Sequence, residues 1–360
     1  MTTAPQLKNH LIRELMHDVR LKRNEDYFIN GDTMVLLALS GKEPFSVFKY
    51  VVGTHVIASS ETETWSLLTS GYQRRAPASI KFLFEGSKRL AIRFVRDLIV
   101  DIPLSKDLPF EKITNLTVNR YANPLSSVRI PWADLEVLKM CNIPDAASDG
   151  FFKDFIKTPL PNLRKLELGL TLNGCMKLLT MTPPVSLPED VTFLLTVSED
   201  ALAAFGSPNT FPSVKRFVVT AKNYAELTAE RLVRLSTVIS CFPSLETAKI
   251  AINYSHTPLP NDFANVVNFH EWLRNTEFST AVEINCEELV DISRAYNLVS
   301  RICRKLKSIG YEEFDDEDIL VIKKEYGNVQ LNHRINHCGG TSFLDEYLNR
   351  FLPVWHFYLW

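Results

Sequence analysis

Side chains that could hold a metal ion come close together near the C-terminal end, at His333, His337 and Cys338. Zinc in proteins is held by nitrogen and sulfur ligands in a tetrahedral set, and two histidines four residues apart share one face of a helix. This stretch, however, follows a strand-like run and precedes Gly339 and Gly340, which is not a helical pattern. We therefore interpret these side chains as polar loop residues, and we predict neither a metal site nor a cofactor.

Signatures of catalysis and of phosphate binding are absent from the sequence. There is no G-x-x-x-x-G-K-[ST] or G-x-G-x-x-G loop, no H-E-x-x-H pair and no G-x-S-x-G turn. The acidic run at 315–318 lacks the alternating spacing and the glycine of a calcium-binding loop. We therefore expect a non-catalytic protein, and an enzyme of an unrecognised type is the alternative.

The composition is that of a folded protein with a substantial core. Of the 360 residues, 46% are hydrophobic and 23% are charged. The formal net charge of -2 gives no overall electrostatic reason to bind nucleic acid. No apolar run is long enough to span a membrane, and the six cysteines are scattered without a C-x-x-C pair. We expect a cytoplasmic or nuclear protein that binds neither nucleic acid nor membrane.

A strand pattern recurs through the middle of the chain, and "PNLRKLELGL" at 161–170 is its clearest copy. The pattern is an apolar residue, two variable residues, an apolar residue, one variable residue and an apolar residue. Its copies begin at Ile113, Leu135, Leu163, Val191, Val214 and Leu245. The average spacing is about 26 residues, which lies within the period of leucine-rich repeats.

Helical patterns lie between the later copies, at 225–242 and 261–275. Alternating strands and helices predict parallel strands joined by crossovers, with each unit burying its apolar face against its neighbours. We predict an α/β fold, an irregular leucine-rich-repeat-like solenoid with a parallel sheet, over 65–280. Segment 281–360 would end the array with a hairpin turning at Gly327 and with an aromatic cap of Trp355, Phe357 and Trp360. The alternative is an ordinary α/β domain in which similar strand patterns recur by chance.

Residues 1–58 are predicted to form a helical module. Apolar residues share one helical stripe over 7–19, a second helix is capped by Asp32 at its start and by Gly41 at its end, and a third covers 44–53. The polar segment 59–64 is interpreted as a linker. The alternating apolar residues of 79–94 predict two strands connected near Gly86.

The segment "DTMVLLALSGKEPFSVFK" resembles the second half of an F-box. The order of a helical module and irregular repeats is similar to F-box proteins with leucine-rich or F-box-associated repeats, including the divergent nematode families. This resemblance implies a substrate adaptor of a cullin-type ubiquitin ligase, in which the module binds a Skp-type adaptor. Leu36, Leu39, Phe45 and Phe48 would then face that adaptor or lie in the core. Alternatively, residues 1–58 only cap the array, and the repeats are a scaffold that binds another protein in an assembly unrelated to ubiquitin.

The side chains between the buried positions of each strand are expected to point to the open, concave face of the sheet. Mixed polar and apolar residues on such a face suit a protein partner. The residues predicted to bind that partner are Lys139, Lys165, Glu167, Phe193, Leu195, Arg216, Val218 and Lys249.

Overall fold

The computed structural model describes residues 20–23, 26–62, 64–69, 79–100, 110–119, 132–195, 205–224, 229–256, 264–278, 280–291, 304, 306–313 and 319–338. The helix predicted over 7–19 and the predicted aromatic cap lie outside these residues. The chain divides into two compact units, Met1–Gly169 and Leu170–Trp360.

The described part of the first unit interleaves helices with strands from Arg20 onward. Its elements are β1 (Arg20–Arg23), β2 (Asp26–Asn30), α1 (Gly31–Ala38), α2 (Lys42–His55), β3 (Val56–Thr62), β4 (Thr64–Thr69), β5 (Ser79–Lys81), α3 (Glu85–Phe94), β6 (Asp97–Val100), β7 (Asn115–Val118), β8 (Val137–Met140), α4 (Asp145–Lys157) and β9 (Lys165–Leu170). The strand order is β1-β2-β5-β4-β3-β6-β7-β8-β9. Along the series β3-β6-β7-β8-β9, each strand is parallel to the next.

The core of the first unit is a row of apolar side chains that crosses the parallel strands in register. The row consists of Ala58, Leu98, Leu116, Leu138 and Leu166, each at most 1% exposed. A fully buried leucine contributes about 1.5–3 kcal/mol to the free energy of unfolding relative to an exposed one. The pairing of β7 with β8 and of β8 with β9 confirms the predicted adjacency of the copies that begin at 113, 135 and 163.

The second unit repeats the alternation with longer strands. Its elements are α5 (Leu172–Thr180), β10 (Asp190–Leu195), β11 (Arg216–Tyr224), α6 (Ala229–Ser240), β12 (Thr247–His256), α7 (Ala264–Asn275), β13 (Val282–Asp291), β14 (Glu312–Glu313), β15 (Ile319–Tyr326) and β16 (Val329–Cys338). The strand order is β10-β11-β12-β13-β16-β15-β14, and the pairs from β10 to β16 are parallel.

An apolar row again crosses this sheet in register, through Phe193, Val219, Ile250, Ile284 and Leu331. All five side chains are buried. The predicted hairpin is confirmed as the antiparallel pair of β15 and β16. The predicted α/β class and the predominance of parallel strands are thus confirmed, and the parallel ladder continues through β13, past residue 280.

Two local predictions in the first unit are wrong. The described residues of the predicted linker, 59–62 and 64, are not a linker, because they belong to β3 and β4, which pair antiparallel. The second predicted strand of 79–94 is the helix α3. Its alternating Leu90, Ile92 and Phe94 suggested a strand, but Ala91, Ile92 and Val95 form the buried helical face.

The predicted register of β10 is also wrong. The sequence pattern placed Phe193 and Leu195 on the open face, yet both are buried. The edge of the Phe193 ring packs against the Phe217 ring at 5.3 Å, so the odd-numbered residues face the core. Thr192 and Leu194 are half-buried and take the outward positions instead.

Among the described residues, no helix is both long enough and apolar enough to cross a membrane.

Candidate partner-binding surface

Most of the exposed large apolar side chains of the described residues lie in the first 84 residues. Leu36, Leu39, Leu83 and Phe84 are 68%, 65%, 87% and 66% exposed. We call these four residues the apolar patch. Single exposed apolar residues are ordinary, whereas a contiguous group marks a contact surface.

Helix α1 carries the first half of the apolar patch. The helix begins at Gly31 because the Asn30 side chain accepts a hydrogen bond from the Thr33 amide at 3.1 Å, which satisfies a free donor of the first turn. Its buried side packs through Met34, Val35 and Ala38. Leu36 and Leu39 are three residues apart, so they project from the other side as neighbours.

The buried carboxylate of Asp32 links α1 to the second half of the apolar patch. Asp32 was predicted to cap its own helix, but it accepts hydrogen bonds from the amides of Leu83 at 2.6 Å and Phe84 at 3.3 Å. Asp32 is 5% exposed, and its charge sits at the start of α3, where the helix dipole favours an anion. The carboxylate therefore fixes the backbone of residues 83 and 84 against the first turn of α1.

The close approach of Phe82 to Gly31 also shows that the chain before α3 packs against the start of α1. A Cβ atom at Gly31 would fall 2.3 Å from the Phe82 ring, so the chain before α3 passes directly over the start of α1. Leu36 lies one helical turn beyond Asp32 on the same side, about 5–6 Å away. The two halves of the apolar patch are therefore adjacent.

An aromatic cluster supports the neighbouring helices from inside. The Phe45 and Phe48 rings each meet the Phe94 ring edge-on, with centroids 5.6 Å and 6.3 Å apart. Lys49 Nζ lies 5.5 Å from the Phe45 centroid. Phe48 is 1% exposed, so it belongs to the core and cannot contact a partner, while Phe45 is half-buried.

Of the four residues that the F-box resemblance singled out, only Leu36 and Leu39 belong to the exposed surface. Sequence reasoning missed Leu83 and Phe84, which it assigned to the strand-like part of the chain. No local pattern could have shown their exposure, because Asp32, which holds them in place, lies about fifty residues earlier.

The outward face of the first unit's sheet is polar, and several of its side chains bind one another across neighbouring strands. Lys139 Nζ lies 3.3 Å from Glu167 Oε2, and the Glu167 side chain is only 12% exposed. The Asn115 amide donates to Asp97, but burial is the larger influence and raises the pKa of Asp97. Lys165 is half-buried on the same face. The three predicted residues of this face are thus at the outward positions of β8 and β9.

The outward face of the second unit carries ion pairs at one end of its strands. Arg216 is paired with Asp190 on the adjacent strand, and Lys249 Nζ lies 2.6 Å from Glu283 Oε2. The hydrogen bond from Lys249 lowers the pKa of Glu283. Val218 is half-buried between these pairs. Arg216, Val218 and Lys249 therefore take outward positions as predicted, whereas Phe193 and Leu195 do not.

A buried network of histidines and tyrosines lies behind this sheet. His270 binds the Tyr326 hydroxyl through Nδ1 at 2.7 Å and the Tyr311 hydroxyl through Nε2 at 2.9 Å, and Tyr311 lies 2.6 Å from His333 Nδ1. The interpretation of His333 as a polar loop residue is wrong, because it is a buried strand residue, 1% exposed. The part of the chain that the structure describes contains no group of three or more potential metal ligands.

No family model matches the chain, and no curated protein or solved structure matches it either.

Proposed function

We propose that this protein is a non-catalytic protein-recognition module that acts as a substrate adaptor of a cullin-type ubiquitin ligase. In this proposal, the apolar patch binds a Skp-type adaptor subunit. The parallel strands form an irregular leucine-rich-repeat-like array whose outward face holds the protein to be modified. The observation that carries the proposal is the exposure of Leu36, Leu39, Leu83 and Phe84 at one place on the first unit.

The energetics of burial support a protein partner for the apolar patch. Covering a leucine or phenylalanine side chain contributes about 1.5–3 kcal/mol, so four such residues match the energetic centre of an ordinary protein interface. The backbone of Leu83 and Phe84 is held in advance by the Asp32 carboxylate, which reduces the entropy lost on binding. A preformed apolar surface of this kind favours a stable contact over a transient encounter.

The outward sheet faces support a second contact of a different character. Their charges already form pairs across neighbouring strands, such as Lys139 with Glu167 and Lys249 with Glu283. A partner on the second unit's face would exchange the exposed pair of Lys249 and Glu283, which contributes little to affinity but selects against mismatched partners. The half-buried Val218 supplies apolar area beside this pair.

The test is a binding measurement with a purified Skp-type adaptor subunit and the full chain. The Leu36→Asp variant should weaken binding at least tenfold, because it places a charge in an apolar contact. Val233→Asp is the matched control, since Val233 is 58% exposed and lies on α6 in the second unit. Failure of the wild-type chain to bind the adaptor subunit would rule out the ligase role.

One observation favours the alternative of a scaffold unrelated to ubiquitin. Helices α1 and α2 do not form a separate module, because the flanking strands β2 and β3 pair with β5 and β6 of the same sheet. An N-terminal region built into the sheet is what a cap of the array would require. Under this alternative, the apolar patch would bind a protein other than a Skp-type subunit, and Leu36→Asp would abolish that contact instead.

A further inference from the structure

We infer that the occupant of the apolar patch is an amphipathic helical segment of a partner protein whose apolar stripe is bordered by carboxylates. The inference rests on the proposed function in that it assigns the chemistry of the same contact. It extends that function by specifying the shape and charge of the partner.

The shape of the apolar patch is elongated. Leu39 and Leu36 follow one side of α1, and the Asp32 contact places Leu83 and Phe84 at the first turn of the same helix. From Leu39 back to Asp32 the helix rises about 10 Å, which is close to two turns. A partner helix presents apolar residues at the spacing i, i+3, i+4 and i+7 over the same length.

The border of the apolar patch is basic, although the whole chain has a formal net charge of -2. Within a few residues of the four apolar side chains, and apart from the buried carboxylate of Asp32, four cations stand against two carboxylates. The cations are Lys42, Lys81, Lys88 and Arg89, and the carboxylates are Glu43 and Glu85. An excess of positive charge around an apolar stripe favours a partner that carries the opposite charge at the corresponding positions.

The ion pair within this border does not oppose the inference. Arg89 Nε lies 3.4 Å from Glu85 Oε1, but the two side chains are 75% and 66% exposed. Such a surface pair contributes at most about 1 kcal/mol, so a carboxylate of the partner can take its place at little cost. The backbone of Lys88 is fixed by the first hydrogen bond of α3, from its amide to the carbonyl oxygen of Phe84 at 3.2 Å. Lys88 therefore stays beside Phe84 in the folded protein.

The experiment uses the full chain and two synthetic helical peptides. The peptides share one leucine stripe and differ only in their polar faces, which carry either glutamate or lysine. We expect the acidic peptide to bind at least tenfold more tightly than the basic one at low salt, and the ratio to fall as salt is raised. Leu83→Ser with Phe84→Ser should abolish binding of both peptides, and serine at position 84 still permits the start of α3.

Charge variants separate the border from the apolar contact. Lys42→Glu with Lys88→Glu should reverse or remove the preference for the acidic peptide. Both positions lie in the first turns of their helices, where an acidic residue is compatible with folding. Lys153→Glu, at an exposed position of α4, is the matched control and should leave the preference unchanged.

The outcomes distinguish this inference from the ligase role. Preference for the acidic peptide without binding to a Skp-type subunit would keep the inference and reject the ligase role. Binding to that subunit with equal affinity for the two peptides would keep the ligase role and overturn the inference. Binding to neither peptide, or binding only to vesicles that contain phosphatidylserine, would also overturn it, the latter in favour of a membrane surface.

Discussion

The carboxylate of Asp32 offers the sharpest test of how the apolar patch is held in place. Asp32→Ala removes the acceptor of two backbone hydrogen bonds, one from Leu83 at 2.6 Å and one from Phe84 at 3.3 Å. A hydrogen bond to a charged group contributes about 1.5–3 kcal/mol, and the longer of the two contributes less. Because water can reach residues whose side chains are as exposed as these, part of the loss is recovered. We therefore expect a loss of about 2–3 kcal/mol.

Amide hydrogen exchange measures this loss locally, without requiring the two units to unfold together. A loss of 2–3 kcal/mol corresponds to about 30-fold to 150-fold faster opening of the segment over 83–88. Asp32→Asn keeps one acceptor oxygen, so it should give an intermediate acceleration. Glu277→Ala, at an exposed carboxylate of the second unit, is the control and should change nothing in this segment.

Acceleration of exchange over 83–88 by less than about threefold in Asp32→Ala would contradict a fixing role for the carboxylate. Such a result would mean that the amides of Leu83 and Phe84 are held by packing of the Phe82 ring on α1 and not by the carboxylate. A second expectation follows from the same contact. Asp32→Ala should weaken binding of a partner at the apolar patch although Asp32 itself is buried, because residues 83 and 84 lose their fixed position.

Three further predictions concern stability and reactivity. Gly169→Ala should lower the free energy of unfolding by at least about 2 kcal/mol in urea melts, because the added Cβ would fall 1.9 Å from the backbone oxygen of Cys141. Gly150→Ala is the control: the space around Gly150 is open, so this substitution should raise helix stability by up to about 1 kcal/mol. Burial raises the pKa of Cys241 to about 11, so at pH 8 iodoacetamide should label this thiol about 100-fold more slowly in the native than in the unfolded chain. The hydrogen bond from Lys249 lowers the pKa of Glu283 in the folded protein. The stabilisation from this bond is therefore fully present above the ordinary pKa of 4.5, and it is lost as the pH falls through the lower pKa of the folded protein. Glu283→Gln should remove this part of the acid sensitivity in urea melts.

The buried parallel strands could be predicted from the sequence because their pattern is local and repeats. Leu116, Leu138 and Leu166 occupy the same position of successive copies, and the structure aligns all three in register. A strand that is covered by helices on its inner face must show this alternation wherever its outer face meets water. The α/β class follows from that pattern and from the helices between the later copies.

The register of β10 could not be predicted because its sequence, "DVTFLL", ends in three consecutive apolar residues. An alternation cannot be recognised where adjacent positions such as Phe193 and Leu194 are both hydrophobic. The choice between them depends on the ring of Phe217 on the next strand, which packs against Phe193. A shift of one residue turns every side chain to the other face, so this single ambiguity misplaced two predicted partner-binding residues.

The apolar patch itself could not be predicted because it depends on a contact between distant residues. In the sequence, Phe84 resembles a strand position, since it follows Ile80 and Phe82 at a spacing of two residues, and Leu83 lies within the same run. The chain leaves the strand after Lys81, and the buried carboxylate of Asp32 then holds these residues at the surface. Only a three-dimensional contact shows that the alternation has ended.

The apolar patch is not needed for the core of its unit, and this separates a binding role from a structural one. The buried row that crosses β3, β6, β7, β8 and β9 contains none of the four patch residues. Large apolar side chains on a surface lower solubility and give the fold little in return. If they serve a partner, Leu83→Ser and Phe84→Ser should leave the melting temperature nearly unchanged while binding is lost. A large fall in melting temperature with either variant would instead show that the exposed side chains stabilise the fold itself.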